Sequence, residues 1–136
     1  MDNGYWLTPK DLYEKLKAEF KFTFDACPFP KPEGYDSLQE DWGQSTYVNP
    51  PFHKADGNGN GPTAFVRKAI FESQKGKTVV LTIPVQSYVN LLLEAGAELR
   101  SLGRVRWVHT VTGEPCKSPS PICCFILNGS SDNPRP

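Results

Sequence analysis

The sequence carries no surplus charge: 15 lysines and arginines balance 15 aspartates and glutamates. A dedicated nucleic-acid binder usually carries a basic excess, so any contact with nucleic acid must come from a local patch or be transient. No apolar run approaches the roughly 18 residues that a membrane-spanning helix needs, so no membrane association is expected. The opening Met1-Asp2-Asn3-Gly4 does not read as a secretory signal, which points to the cytoplasm. Cysteine pairs at metal-binding spacing are missing as well. The four cysteines are Cys27, Cys116, Cys123 and Cys124, none in a CxxC pair, and His53 and His109 are isolated. Reduced thiols and no metal site are the expectation. The glycine-rich turn and helix that open most nucleotide-binding α/β folds are also lacking after the first strand.

What is present centres on Thr46-Tyr47-Val48-Asn49-Pro50-Pro51-Phe52. It reads as a short apolar strand running into a stiff turn. Two adjacent prolines fix their own φ angles and remove two backbone donors, and each pushes the residue before it toward extended geometry. The carbonyls of Asn49 and Pro50 are thereby held in a set direction. Asn49 adds a side-chain carbonyl and an amide, and Phe52 adds a flat apolar face. Two acceptors and a stacking surface at a strand end suit a planar ring bearing an amino group. The alternative is a structural Pro-Pro loop with Asn49 as a turn residue.

The rest of the 136-residue chain reads as one α/β domain over residues 1–127 with a polar, disordered tail over 128–136. Thr8-Pro9-Lys10-Asp11 predicts a helix start, with Thr8 as cap and Pro9 at the first helical position. Leu12, Tyr13, Leu16 and Phe20 follow as a buried stripe. Residues 20–26 alternate and predict a strand ending in the carboxylate of Asp25, where ligands bind in open α/β sheets; a turn-initiating Asp is the alternative. Residues 27–37 predict a loop. The glycine- and asparagine-rich stretch after Phe52, from His53 to Pro62, is a lid candidate or an ordinary flexible loop. Pro62 or Thr63 opens a second helix that buries Phe65, Val66, Ala69 and Ile70 and ends at Gly76. Thr78–Ile83 predicts a central parallel strand, and 85–95 a third helix. Two short strands, 97–102 and 105–108, flank Gly103-Arg104, and 121–127 predicts a final buried strand. Alternating strands and helices with an antiparallel finish predict an α/β sandwich.

These residues, in this order, resemble the phage-type Dam DNA N6-adenine methyltransferases. The resemblance lies in Trp6-Leu7-Thr8-Pro9, Phe22-Thr23-Phe24-Asp25-Ala26-Cys27, Asp36-Ser37-Leu38 with Trp42, and Val48-Asn49-Pro50-Pro51-Phe52. It continues through Lys68-Ala69, Val79 to Pro84, Gly103-Arg104 and Ser118-Pro119, and covers about residues 5–127.

The resemblance implies a minimal Rossmann-like, S-adenosylmethionine-dependent methyltransferase sandwich, a mixed sheet with flanking helices. It implies that Asn49 and Pro50 accept from the N6 amino group of adenine, with Pro51 stiffening the turn and Phe52 stacking on the flipped-out base. It places S-adenosylmethionine against Trp6, Thr8, Pro9, Asp25, Ala26 and Cys27. DNA is then the partner, met by Lys54, Arg67, Lys68 and Arg104, with Arg106 and Lys117 as further cations. For each of these cations, and for a staple-like Trp6, a purely structural role is the alternative. The segment 28–35 is short, which implies a shallow cofactor pocket, and no separate target-recognition domain is visible. A partner subunit would complete either feature, which makes a homodimer possible. A phage-encoded enzyme would work in the host cytoplasm. Other substrates for the same chemistry are RNA adenine, cytosine N4 or a protein glutamine amide. A non-catalytic nucleotide- or partner-binding module on the same fold is the remaining alternative.

Overall fold

The computed structural model describes residues 6–28, 35–50, 62–83, 89–115 and 120–129. Strand β1 (Trp6–Leu7) precedes helix α1 (Lys10–Phe20). Strands β2 (Phe24–Asp25), β3 (Ser45–Val48) and β4 (Thr78–Ile83) follow, with helix α2 (Pro62–Ser73) crossing between β3 and β4. Helix α3 (Val89–Glu94) leads to β5 (Glu98–Val105), β6 (Val108–His109) and β7 (Ser120–Asn128). The result is a mixed α/β structure with a five-stranded sheet in the order β2-β3-β4-β7-β5 and a separate β1–β6 pair. β2, β3 and β4 run parallel, and β7 is antiparallel to both β4 and β5. β5 therefore points the same way as the parallel three, and the carboxyl ends of β2, β3, β4 and β5 share one edge.

Period-two alternation splits the sheet between two faces. Tyr47, Val80, Cys124 and Ile126 pack under α1 through Leu16, with Leu12, Tyr13 and Phe20 around it. Val48, Val79, Leu81, Ile83, Phe125 and Leu127 pack under Phe65, Val66 and Ala69 of α2 and Leu92 of α3. Helices thus flank both faces of the sheet, as the sequence pattern predicts.

Three local expectations change. Helix α1 is capped at Pro9 with no side-chain cap bond; Tyr13 donates to the Pro9 carbonyl at 3.0 Å, and the Thr8 hydroxyl is engaged elsewhere. The strand predicted over 20–26 is only Phe24–Asp25, because α1 runs through Phe20 and stops at Lys21. Lys21 takes the left-handed conformation with φ 53°, a state that costs a non-glycine residue about 1 kcal/mol. The strand predicted over 97–102 runs on through Gly103 to Val105 as β5, with a register shift between Ser101 and Arg104, and of the strand predicted over 105–108 only Val105 belongs to it while Val108 opens β6. Gly103, at φ 73°, absorbs that irregularity, since a bulge residue in the left-handed region favours glycine.

Candidate functional site

Asn49 and Pro50 follow directly on β3 and stand at the shared carboxyl edge. Their neighbour in the sheet is β2, in which Asp25 pairs in register with Tyr47. The Ala26 amide then donates to the Tyr47 carbonyl at 3.0 Å. The turn after β2 and the turn after β3 are thereby locked side by side. Gly43 helps: a Cβ there would lie 2.6 Å from Thr23 Oγ1 and 2.8 Å from Phe24 Cβ, so only glycine lets the chain pass β2 this closely.

Asp25 is the charge of this edge. Its Oδ1 accepts from the Cys27 amide at 2.9 Å, which closes the turn on itself. Burial pushes the Asp25 carboxyl above its ordinary range, and the single amide bond only partly opposes that. Among the described residues no lysine or arginine forms an ion pair with it. A desolvated carboxylate met by one backbone donor has acceptor capacity suited to a hydroxyl or ammonium group of a ligand. Its free acceptor sites suit amino and hydroxyl groups of a small ligand. Ala26, beside it, is buried and leaves no side chain in the way.

Behind Asn49 lies a line of hydroxyls. The Asn49 amide nitrogen donates to Thr8 Oγ1 at 3.3 Å. Thr8 Oγ1 lies 2.5 Å from the Tyr47 hydroxyl, and that hydroxyl lies 2.8 Å from Thr82 Oγ1. Burial pushes the Tyr47 phenol far above its ordinary range, so it stays protonated. Thr8, just before α1, thus turns its hydroxyl to Asn49 rather than to the helix that Pro9 caps. The sequence reading missed Tyr47, although a signal existed. Tyr47 and Asn49 are two apart at a strand end, and alternation puts both toward α1. Tyr13 and Tyr35 feel the same edge. Burial raises both phenols first, and the nearby Asp25 charge adds to it.

Of the other residues singled out in the sequence, Trp6 pairs through its backbone with His109. Cys27 is half-buried beside Asp25. Arg104 is exposed at the end of β5, on the same edge as Asn49 and Asp25. Arg67 is exposed midway along α2 and lines a groove with Ile70, Phe71, Leu91 and Glu94. Lys68 is placed differently from a phosphate contact. Its ammonium lies 2.7 Å from Glu72 and its side chain is only 13% exposed. Pro51, Phe52, Lys54, Lys117 and the lid candidate after Phe52 lie outside the described residues. Among the described residues no group of three His, Cys, Asp or Glu could hold a metal ion. No described helix is long and apolar enough to cross a membrane.

Glu72 itself was read only as part of α2. It is fully buried and accepts from Lys68 at 2.7 Å, Lys77 at 2.6 Å and Lys75 at 3.3 Å. The Trp42 amide adds a bond at 3.3 Å. Burial alone would raise the Glu72 carboxyl, but these donors outweigh it and bring it to about 2. The cluster ties α2 to the chain entering β3 and to the start of β4.

No curated protein and no solved structure matches the chain. A family model described as DNA N-6-adenine-methyltransferase (Dam) matches residues 1–128. With 128 of 136 residues matched, the chain belongs to the DNA N-6-adenine-methyltransferase (Dam) family.

Proposed function

We propose that the chain is an S-adenosylmethionine-dependent DNA adenine N6-methyltransferase that acts on a base turned out of the duplex. The observation that carries this is the juxtaposition of Asn49-Pro50, at the end of β3, with Asp25, paired in the adjoining strand. Acceptors for an amino group and a carboxylate for a cofactor then stand at one sheet edge. The three parallel strands, with β7 inserted antiparallel between β4 and β5, support a Rossmann-like methyltransferase sandwich.

S-adenosylmethionine, when bound, supplies the methyl group. The chain's own residues do the rest. Asp25 binds the cofactor through its carboxylate, with Thr8, Pro9, Ala26 and Cys27 as the surrounding wall and Trp6 as a further cofactor-binding residue. Asn49 Oδ1 and the Pro50 carbonyl each accept one N–H of the adenine N6. That fixes the plane of the amino group and stabilises the positive charge that builds on nitrogen as it attacks. The N–CH₃ bond would form as the methyl–sulfonium bond breaks and leaves a neutral thioether, and one N6 proton would pass to solvent water. Pro51 keeps the turn rigid, and Phe52 stacks on the base, offsetting part of the unstacking cost of a few kcal/mol. Lys54, Arg67 and Arg104 supply phosphate contacts, and Lys68 acts through the Glu72 cluster rather than on DNA.

The test is methyl transfer from labelled S-adenosylmethionine to unmethylated DNA, followed by digestion and identification of the nucleoside. N6-methyladenine with the wild type, and none with Asn49→Ala, is the expected result. Another methylated base, RNA or protein as the acceptor, or wild-type turnover in Asn49→Ala, would overturn it.

A further inference from the structure

Tyr13 stands on α1 one turn after Pro9, whose carbonyl accepts from the Tyr13 amide at 3.0 Å. Helical side chains lean toward the helix N-terminus. That end of α1 lies at the sheet edge that carries Asp25 and Asn49, because Thr8 just before it meets Asn49. The Tyr13 ring is held by two others. It stacks on Phe22 with centroids 5.9 Å apart and meets Tyr47 edge-on at 5.1 Å. Asp25 is the register partner of Tyr47 in the adjoining parallel strand. The two side chains therefore leave the sheet on one face, the face that α1 covers. Tyr13 and Asp25 are neighbours across Tyr47.

The ring is fixed, but its hydroxyl is not used. Among the described residues nothing hydrogen-bonds to it, and it is not sealed in the core. Asp25 also keeps an open oxygen, since only Oδ1 takes the Cys27 amide. Burial and, after it, the Asp25 charge raise the phenol, so Tyr13 offers a donor beside the acceptors of Asp25. A donor next to an anionic acceptor suits a ligand with a cation and an anion close together. An α-amino acid is such a group, with ammonium and carboxylate on one carbon. A ribose diol needs no such pair, because both of its hydroxyls can donate to a single carboxylate.

We propose that Tyr13 is a cofactor-binding residue, its hydroxyl donating to the carboxylate at the amino-acid end of S-adenosylmethionine while Asp25 takes the ammonium. This rests on the reading of Asp25 as a cofactor-binding residue. Tyr13 extends the wall of Thr8 and Pro9 by one helical turn. The assignment accounts for a tyrosine where phenylalanine would pack equally well: a plain ring keeps both ring contacts, and only a group from outside uses the oxygen.

The test compares two ligands by calorimetry on the full chain. One is S-adenosylmethionine. The other is its decarboxylated form, which keeps the ammonium, sulfonium and ribose and lacks the carboxylate. Wild type should bind the complete cofactor about tenfold or more tightly, the weight of one hydrogen bond to a charged group. In Tyr13→Phe the affinity for S-adenosylmethionine should fall about tenfold, and that for the decarboxylated form should stay within about twofold. Asp25→Asn should weaken both, because both carry the ammonium. The hydroxyl has no partner within the described protein, so Tyr13→Phe should melt within about 3 °C of wild type, which separates a lost contact from a lost fold.

Equal losses for the two ligands in Tyr13→Phe would put the hydroxyl on another part of the cofactor and overturn the proposal. So would a Tyr13→Phe variant that binds S-adenosylmethionine as tightly as wild type does, and that result would leave the cofactor reading standing. Wild type that binds neither ligand would overturn the cofactor reading itself, and this proposal with it.

Discussion

Lys77 donates to Glu72 at 2.6 Å across the junction between helix α2 and strand β4. Its ammonium also reaches the Trp42 carbonyl at 2.6 Å, so one cation joins the crossover helix to the chain on both sides of it. This junction sits at the amino edge of the sheet, opposite the candidate site. It fixes the crossover that carries the chain from the Asn49-Pro50 turn back to β4.

Glu72→Gln is expected to destabilise the fold by about 3 kcal/mol. Removing one partner of a buried pair leaves the others uncompensated, and such losses run to 3–5 kcal/mol; partly exposed lysines put this case at the lower end. The loss is also pH-dependent. The lysines hold the folded carboxyl down at about 2 against 4.5 for an ordinary glutamate, so its contribution is fully present above about 4.5 and disappears as pH falls through about 2. Melting curves of wild type and Glu72→Gln should differ most near neutral pH and converge in acid. A constant gap down to pH 2 would contradict the assignment.

Asp25 has the opposite sign. Burial raises its carboxyl in the folded state, so that state binds the proton more tightly than the unfolded chain does. Any stability from this source is present at low pH and lost as pH rises through the folded value. Asp25→Asn should therefore raise the melting temperature at neutral pH while weakening S-adenosylmethionine binding about tenfold or more, the weight of a hydrogen bond to a charged group. Calorimetry and melting at the same pH check both. Unchanged affinity would remove Asp25 from the cofactor site.

The sequence made the frame legible where periodicity was strong. Thr78–Ile83 is near-continuous apolar residues and is the buried central strand; Phe65, Val66 and Ala69 recur at helical spacing and are the buried face of α2. It misled where local and tertiary preferences compete. Thr8 before Pro9 has the pattern of a cap, yet a hydroxyl partner 39 positions away took it. Residues 20–26 alternate like a strand, but Phe20 and Leu16 share a helical stripe, and the helix won. At the site, the acceptors and Asp25 were readable from residue type. Tyr47 was passed over despite its place two residues before Asn49, because a phenol in an apolar strand reads as core until its partners are known. Glu72 was invisible for the same reason: a glutamate on an amphipathic helix reads as solvated, and its three lysines come from two segments.

Arg104 is exposed at the end of β5, on the edge that holds Asn49. If it meets a phosphate, Arg104→Ala should weaken DNA binding evenly across sequences. The slope of log affinity against log salt should fall by about 0.9, the contribution of one neutralised phosphate on duplex DNA. Titrations at several salt concentrations measure this directly. Arg67→Ala, in the groove between α2 and α3, should lower the slope likewise if it too meets a phosphate. An unchanged slope in Arg104→Ala would show a solvated surface charge.

Phe52 follows Asn49-Pro50-Pro51 and supplies the stacking face of the proposed site. An aromatic platform under an unstacked base is worth about 1–3 kcal/mol and tolerates exchange of one ring for another. Phe52→Ala is therefore expected to slow single-turnover methyl transfer about 10- to 100-fold, whereas Phe52→Trp should hold within a few-fold of wild type on the order of the ring–ring difference. Because flipping is less costly where the base is already unpaired, the Phe52→Ala defect should shrink on a substrate whose target adenine faces a mismatch. The wild-type rate should gain less from the same mismatch. An equal loss in the alanine and tryptophan variants would argue that Phe52 shapes the turn rather than stacks. A defect that is the same on matched and mismatched DNA would place its role after the base has already been captured.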